Sequence, residues 1–182
     1  SESLPIFYPA AYTSYAFVVS GADFSGEGLG KVTLIEPGTA DIGGRSYRTV
    51  TINGVTWTAE NLDFKASGIN IGTSGVPGTP TAWYYNNDES TYGVNGNKYG
   101  LLYNGHAVEY LNNNRDLLMA GWHVPTLDEF NDLFNAVGGS SVAGVKLKSS
   151  TGWSSGNGTD DFGFTVVPAG MRANGAFSSL GN

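Results

Sequence analysis

Gly121-Trp122-His123-Val124-Pro125-Thr126-Leu127-Asp128-Glu129-Phe130 opens the most legible element of this chain. Thr126 and Glu129 stand three residues apart, the spacing of a capping box. In such a box hydroxyl and carboxylate each accept a hydrogen bond from the other residue's free backbone N–H at the start of a helix. Phe130, Leu133, Phe134 and Val137 then recur at i, i+3, i+4 and i+7, the apolar face of an α-helix. Gly138-Gly139 stops it.

Working outward, a second helix is expected around His106 to Leu111, ended by Asn112-Asn113-Asn114. The clearest hairpin lies upstream. Tyr47 to Ile52 alternates and is rich in β-formers, Asn53-Gly54 is a favoured two-residue turn, and Val55 to Ala59 returns. Tyr99 to Tyr103, Val145 to Leu147 and Phe162 to Val167 read as further short strands. Residues 63–82 read as loop. Residues 1–44 form a separate region, a small β appendage or attachment segment, with strand candidates at Tyr15 to Val19 and Lys31 to Ile35. Pro37-Gly38 and Gly43-Gly44 punctuate its end. Two short helices among many short strands predict an α+β fold with much irregular structure.

The composition narrows the function. The chain has 182 residues, 27 of them Gly, with 13% aromatic and only 14% charged residues. Short strands joined by long loops fit this usage, and such loops commonly carry recognition. The formal net charge of −7 disfavours nucleic acid, whose phosphates would be repelled. With no cysteine there is no disulfide, thiol nucleophile or Cys-ligated zinc. No apolar run is long enough to span a membrane. The first residues, Ser1-Glu2-Ser3-Leu4-Pro5, carry no initiator Met and no secretion-signal pattern, so the chain reads as processed or excised.

Motifs that bear chemistry are weak. Gly152-Trp153-Ser154-Ser155-Gly156 matches the serine-hydrolase pattern, but a nucleophile elbow needs a strand before it and a helix after it. Here Asn157-Gly158-Thr159-Asp160-Asp161 follows, a turn. His106 and His123 are too few for a zinc site. Asp160-Asp161 and Asn86-Asn87-Asp88 offer oxygens of the kind calcium takes, without the EF-hand pattern. Capping and turn formation is the preferred role for them. No catalytic residue, metal ligand or cofactor is therefore assigned, with calcium kept as an alternative.

Taken together, several segments resemble the Fibrobacter succinogenes major paralogous domain. They are Thr49-Val50-Thr51-Ile52, Thr56-Trp57-Thr58-Ala59-Glu60-Asn61-Leu62, Tyr84-Tyr85-Asn86-Asn87-Asp88 and Lys98-Tyr99-Gly100-Leu101-Leu102-Tyr103. The match is strongest over Gly121 to Phe130 and runs through Gly152-Trp153 and Asn157 to Phe164 to Pro168-Ala169-Gly170-Met171-Arg172. The resemblance implies a C-type-lectin-like fold, related to formylglycine-generating enzymes, for residues 45–182: a small twisted antiparallel sheet, two short helices and long irregular loops. It also implies a secreted, cell-surface or virion setting. Two departures stand out. The family's cysteines near the Trp-Tyr-Tyr segment and before Gly-Trp-His-Val-Pro are replaced, at Tyr84 and Leu118-Met119-Ala120. The resemblance also implies an aromatic-rich closing strand after Gly181-Asn182, which residues 45–182 are expected to lack: either the sequence is a fragment, or another chain or the N-terminal region supplies that strand.

The functional expectation is a non-catalytic adhesin or receptor-binding module that recognises a glycan or a surface protein. Its ligand contacts are expected from Tyr84, Tyr85, Asn86, Asn87, Asp88 and Tyr92, joined by Asn157 and Asp160, because tyrosines and amides give contact area and adaptable hydrogen bonds. The alternative is a structural subunit or decoration of a phage particle, pilus or filament, as a homo-oligomer or with other structural chains.

Overall fold

The computed structural model describes residues 35–72, 78–93 and 99–182. The strand candidate Tyr15 to Val19 lies outside them, and of Lys31 to Ile35 only Ile35 lies inside. Strand β1 (Ile35–Ile42) pairs antiparallel with β2 (Arg45–Ile52) over its whole length, and β2 pairs antiparallel with β3 (Val55–Thr58). Asn53 and Gly54 have φ of 54° and 82°, so the expected Asn-Gly turn closes this hairpin with both central residues left-handed. Pro37-Gly38, read as punctuation, sits within β1. The strand order is β1-β2-β3, which makes β1 an edge, where proline's missing N–H is tolerated.

Strand β2 joins two cores because side chains alternate across a strand. Tyr47 belongs to one cluster with Ile42, Tyr84, Leu111, Trp122 and Val124. Val50 and Ile52, of opposite parity, belong to a second with Trp57, Leu133, Val137, Leu147 and Phe164. Trp57 is 2% exposed and packs its ring 5.5 Å from Phe130 and 5.8 Å from Phe164. Full burial of an aliphatic or phenyl side chain is worth about 1.5–3 kcal/mol, and the larger indole stands at or above that.

The chain then forms β4 (Asn70–Ile71), β5 (Thr81–Trp83), helix α1 (Glu89–Tyr92), β6 (Leu102–Tyr103) and α2 (Gly105–Asn113). Strands β4, β5 and β6 make a second small sheet, with β4 parallel and β6 antiparallel to β5. Helix α2 bears out the expected helix, capped by the Asn104 side chain, which accepts from the Ala107 N–H at 2.8 Å. Helix α3 (Leu127–Ala136) bears out the capping box. The Thr126 hydroxyl accepts from the Glu129 N–H at 3.3 Å, and Glu129 Oε2 accepts from the Thr126 N–H at 2.8 Å.

Helix α4 (Ser140–Leu147) and the hairpin of β7 (Ala169–Ala173) with β8 (Ala176–Leu180) complete the fold. Three expectations are corrected. The described residues hold four α-helices, not two. Val145 to Leu147 is the end of α4 rather than a strand. Val142 and Val145 favour β-structure by themselves and Gly144 weakens a helix, but Ala143 and Leu147, four residues apart, bury one helical face against the second core. Phe162 to Val167 makes a single parallel bridge, Val166 to Lys148, in place of a strand. Gly163 and Thr165 both take positive φ there, which breaks an extended run. The architecture is mixed α+β, built from small, largely antiparallel sheets and short helices. No helix among the described residues is long and apolar enough to cross a membrane.

Candidate functional site

The stretch after β5 divides its side chains between core and surface. Tyr84 is only 4% exposed, and its hydroxyl donates to Asp63 Oδ1 at 2.6 Å. Burial, reinforced by the Asp63 carboxylate, pushes the Tyr84 phenol far above its ordinary range. Tyr84 is thus a core residue. Beyond it a 3-10 turn, Tyr85–Asn87, reverses the chain. Asn86 and Asn87 take φ of 53° and 58°, which asparagine tolerates because its short amide bonds locally. Both are exposed, and Tyr85 is left half-buried at the surface. Asp88 caps α1: its Oδ1 accepts from the Ser90 hydroxyl at 2.7 Å and the Thr91 N–H at 3.0 Å. Those bonds, Ser90 first, hold its carboxyl down at about 2.

Helix α1 is one turn long and returns Tyr92 to Tyr85, with ring centroids 5.2 Å apart and planes at 67°. Tyr99 stacks on Tyr92 at 6.0 Å. On the other side Tyr85 meets Phe177 at 5.4 Å. Phe177 and Arg172 are cross-strand partners in the β7–β8 hairpin, and the Arg172 guanidinium lies 5.4 Å from the Phe177 ring and 4.3 Å from that of Trp83. The approach of Tyr85 to β7 depends on Gly170. Its φ is 74°, and a Cβ there would stand 2.7 Å from the Tyr85 ring. The result is a continuous face of half-buried side chains: Tyr99, Tyr92, Tyr85, Phe177 and Arg172. Each aromatic pair is worth about 0.5–1.5 kcal/mol beyond its buried area, so the row is held in shape without ligand.

Among the described residues, the cation on this face has no counter-charge. Arg172 makes no ion pair among the described residues, and its Nε is buried without a hydrogen-bond partner. Arg45, by contrast, pairs with Glu60 at 2.6 Å, and Lys65 with Glu89 at 2.7 Å.

The second expected cluster lies elsewhere and has its polar groups engaged. Asn157 Oδ1 accepts from the Trp153 N–H at 3.1 Å. The two oxygens of Asp160 accept from the Thr165 N–H and hydroxyl, each at 2.8 Å. The backbone of this loop bonds back to α4, through Thr159 N–H to Val145 O and Asp161 N–H to Lys146 O. Among the described residues it shares no hydrogen bond or ring contact with the tyrosine row. His123 Nε2 lies 2.9 Å from Glu129 Oε1, so the histidine braces the start of α3. Ser154 sits in a loop with neither strand before it nor helix after it. Among the described residues no three His, Asp or Glu side chains are placed to hold a metal ion. A groove of about 100 Å³ lies between the β2–β3 turn and α3, lined by Ile52, Val55, Trp57, Glu129 and Asp132. It is well below the roughly 300 Å³ at which small-molecule pockets begin.

The expected set is thus divided three ways. Tyr85 and Tyr92 come together, Asn86, Asn87 and Asp88 border them, and Tyr84, Asn157 and Asp160 serve the fold. Tyr99, Phe177 and Arg172 are additions. The signal for the last two was Asn174-Gly175, whose φ values of 50° and 82° repeat the first hairpin's turn and set Arg172 opposite Phe177.

No curated protein and no solved structure matches the chain. The model of the Fibrobacter succinogenes major domain matches residues 50–181. That span holds β3, all four described helices and the whole aromatic face. By this match over most of its length, the chain belongs to the Fibrobacter succinogenes major domain family.

Proposed function

We propose that the chain is a non-catalytic binding module of C-type-lectin-like architecture, displayed on a cell surface or virion, whose ligand is a carbohydrate. The observation that carries this is the row of Tyr99, Tyr92, Tyr85 and Phe177, coupled ring to ring at centroid distances of 5.2–6.0 Å and half-exposed. Aromatic faces stack on the C–H faces of sugar rings, and phenol hydroxyls at their edges hydrogen-bond sugar hydroxyls. Pre-organisation matters as much as composition, because a row already packed loses little side-chain entropy on binding. The exposed Asn86 and Asn87 amides at the rim add directional donors and acceptors.

The reading is tested by applying the labelled chain to an array of immobilised glycans, with Tyr85→Ala as the comparison. Retention of the wild type on a defined subset, reduced about tenfold by the substitution, is expected; tenfold corresponds to about 1.4 kcal/mol. Retention that is unchanged in Tyr85→Ala, or a protein array capturing the chain where glycans do not, would overturn it.

A further inference from the structure

We infer that Arg172 selects a carboxylate, so that the sugar recognised by this face is an acidic one, carried singly at the end or side of a glycan. The inference rests on the carbohydrate reading above and names its ligand class.

Three observations carry it. The guanidinium is fixed, lying 4.3 Å from the Trp83 ring and 5.4 Å from the Phe177 ring. Stacking holds the plane of an arginine while leaving its edge, with its forked donors, free for a planar anion. Its donors make no hydrogen bond to the described residues, and Nε is buried without a partner. The two terminal nitrogens are not buried in this way, and a planar carboxylate can take one charge-assisted bond from each. Finally, Arg172 continues the row: Phe177 touches both it and Tyr85. A sugar ring on Phe177 therefore has its substituents beside the guanidinium.

The rest of the chain limits the ligand's charge. At a net charge of −7 a densely charged polyanion is repelled as a whole, while one carboxylate meeting one oriented cation at short range is not. A sparse acid on a neutral glycan fits both conditions.

The test uses an array of neutral glycans together with glycans that end in a single uronic or sialic acid. Each acid is spotted beside its methyl ester, which keeps the sugar and removes the charge, and beside a sulfated counterpart. The wild type is expected to be retained at least tenfold better on the acids than on their esters, and this preference is expected to shrink as salt rises. Arg172→Gln should abolish the preference, and Arg172→Lys should restore it only in part, since an ammonium is a point charge without the fork. Tyr85→Ala should lower retention on acid and ester alike. Circular dichroism of each variant establishes that it is folded. Equal retention of acids and esters by the wild type overturns the inference while leaving the carbohydrate reading intact, as does a preference that survives in folded Arg172→Gln. A stronger preference for the sulfated glycans overturns the assignment to carboxylate. No retention on any spot removes the carbohydrate reading, and this inference with it.

Discussion

The start of α3 and the tyrosine face are both built from aromatic and polar residues, but they treat their polar groups in opposite ways. Around α3, Thr126, Glu129 and His123 satisfy one another within 2.8–3.3 Å, over a core that holds Trp57 and Phe130. On the tyrosine face the rings pack against one another, while Arg172 has no carboxylate partner among the described residues. Saturated polar groups indicate a structural role. Ordered, half-exposed groups left open indicate a binding one. The distinction also separates the two clusters expected from the sequence, since Asn157 and Asp160 are engaged with Trp153 and Thr165.

The contrast can be broken first at Trp57. Trp57→Ala removes the largest fully buried side chain of the second core and should cost about 3–5 kcal/mol in urea unfolding. A loss below 1 kcal/mol would mean that the core is not organised around it. Next in size is Glu129. Burial raises its carboxyl, but the Thr126 N–H and then His123 outweigh this and hold it below its ordinary range. A depressed folded-state value contributes stability that is present above the ordinary glutamate range and is lost as pH falls through the depressed value. Stability should therefore decline on the acid side, and Glu129→Gln should flatten that decline and cost about 1.5–3 kcal/mol near neutral pH. An acid limb identical in both proteins would count against this. The smallest effect is sharpest in what it leaves alone. Asn157→Ala should cost about 1 kcal/mol, the worth of its bond to Trp153, and leave glycan retention unchanged. Lost retention in that folded variant would bring the loop back into the binding site.

How legible these regions are in the sequence follows the same division. The α3 start was readable because its capping box and apolar spacing are local, and the β2–β3 hairpin because Asn53-Gly54 dictates its own turn. Helix α4 was not, since its valines argue for a strand and only the burial of Ala143 and Leu147 decides otherwise. The binding face was half legible. Tyr85 and Tyr92 stood out among Gly and Asn, but adjacent Tyr84 reads the same and is buried in the first core, with its hydroxyl on Asp63, a contact distant in sequence. Arg172 and Phe177 reach the face only through a second Asn-Gly turn, flanked by alanines and serines that give little sign of strand.

Tyr85→Ala and Thr126→Ala, compared side by side, test the central claim most directly. Each is measured for its urea midpoint and for retention on the glycan array. Thr126→Ala should lose about 1 kcal/mol of stability through its cap and keep full retention. Tyr85→Ala should lose retention about tenfold while remaining folded, its stability falling by about 0.5–1.5 kcal/mol for each ring pair it breaks in addition to the lost burial of its ring. If Tyr85→Ala is folded and retained like the wild type, the tyrosine face is structural and the claim is wrong.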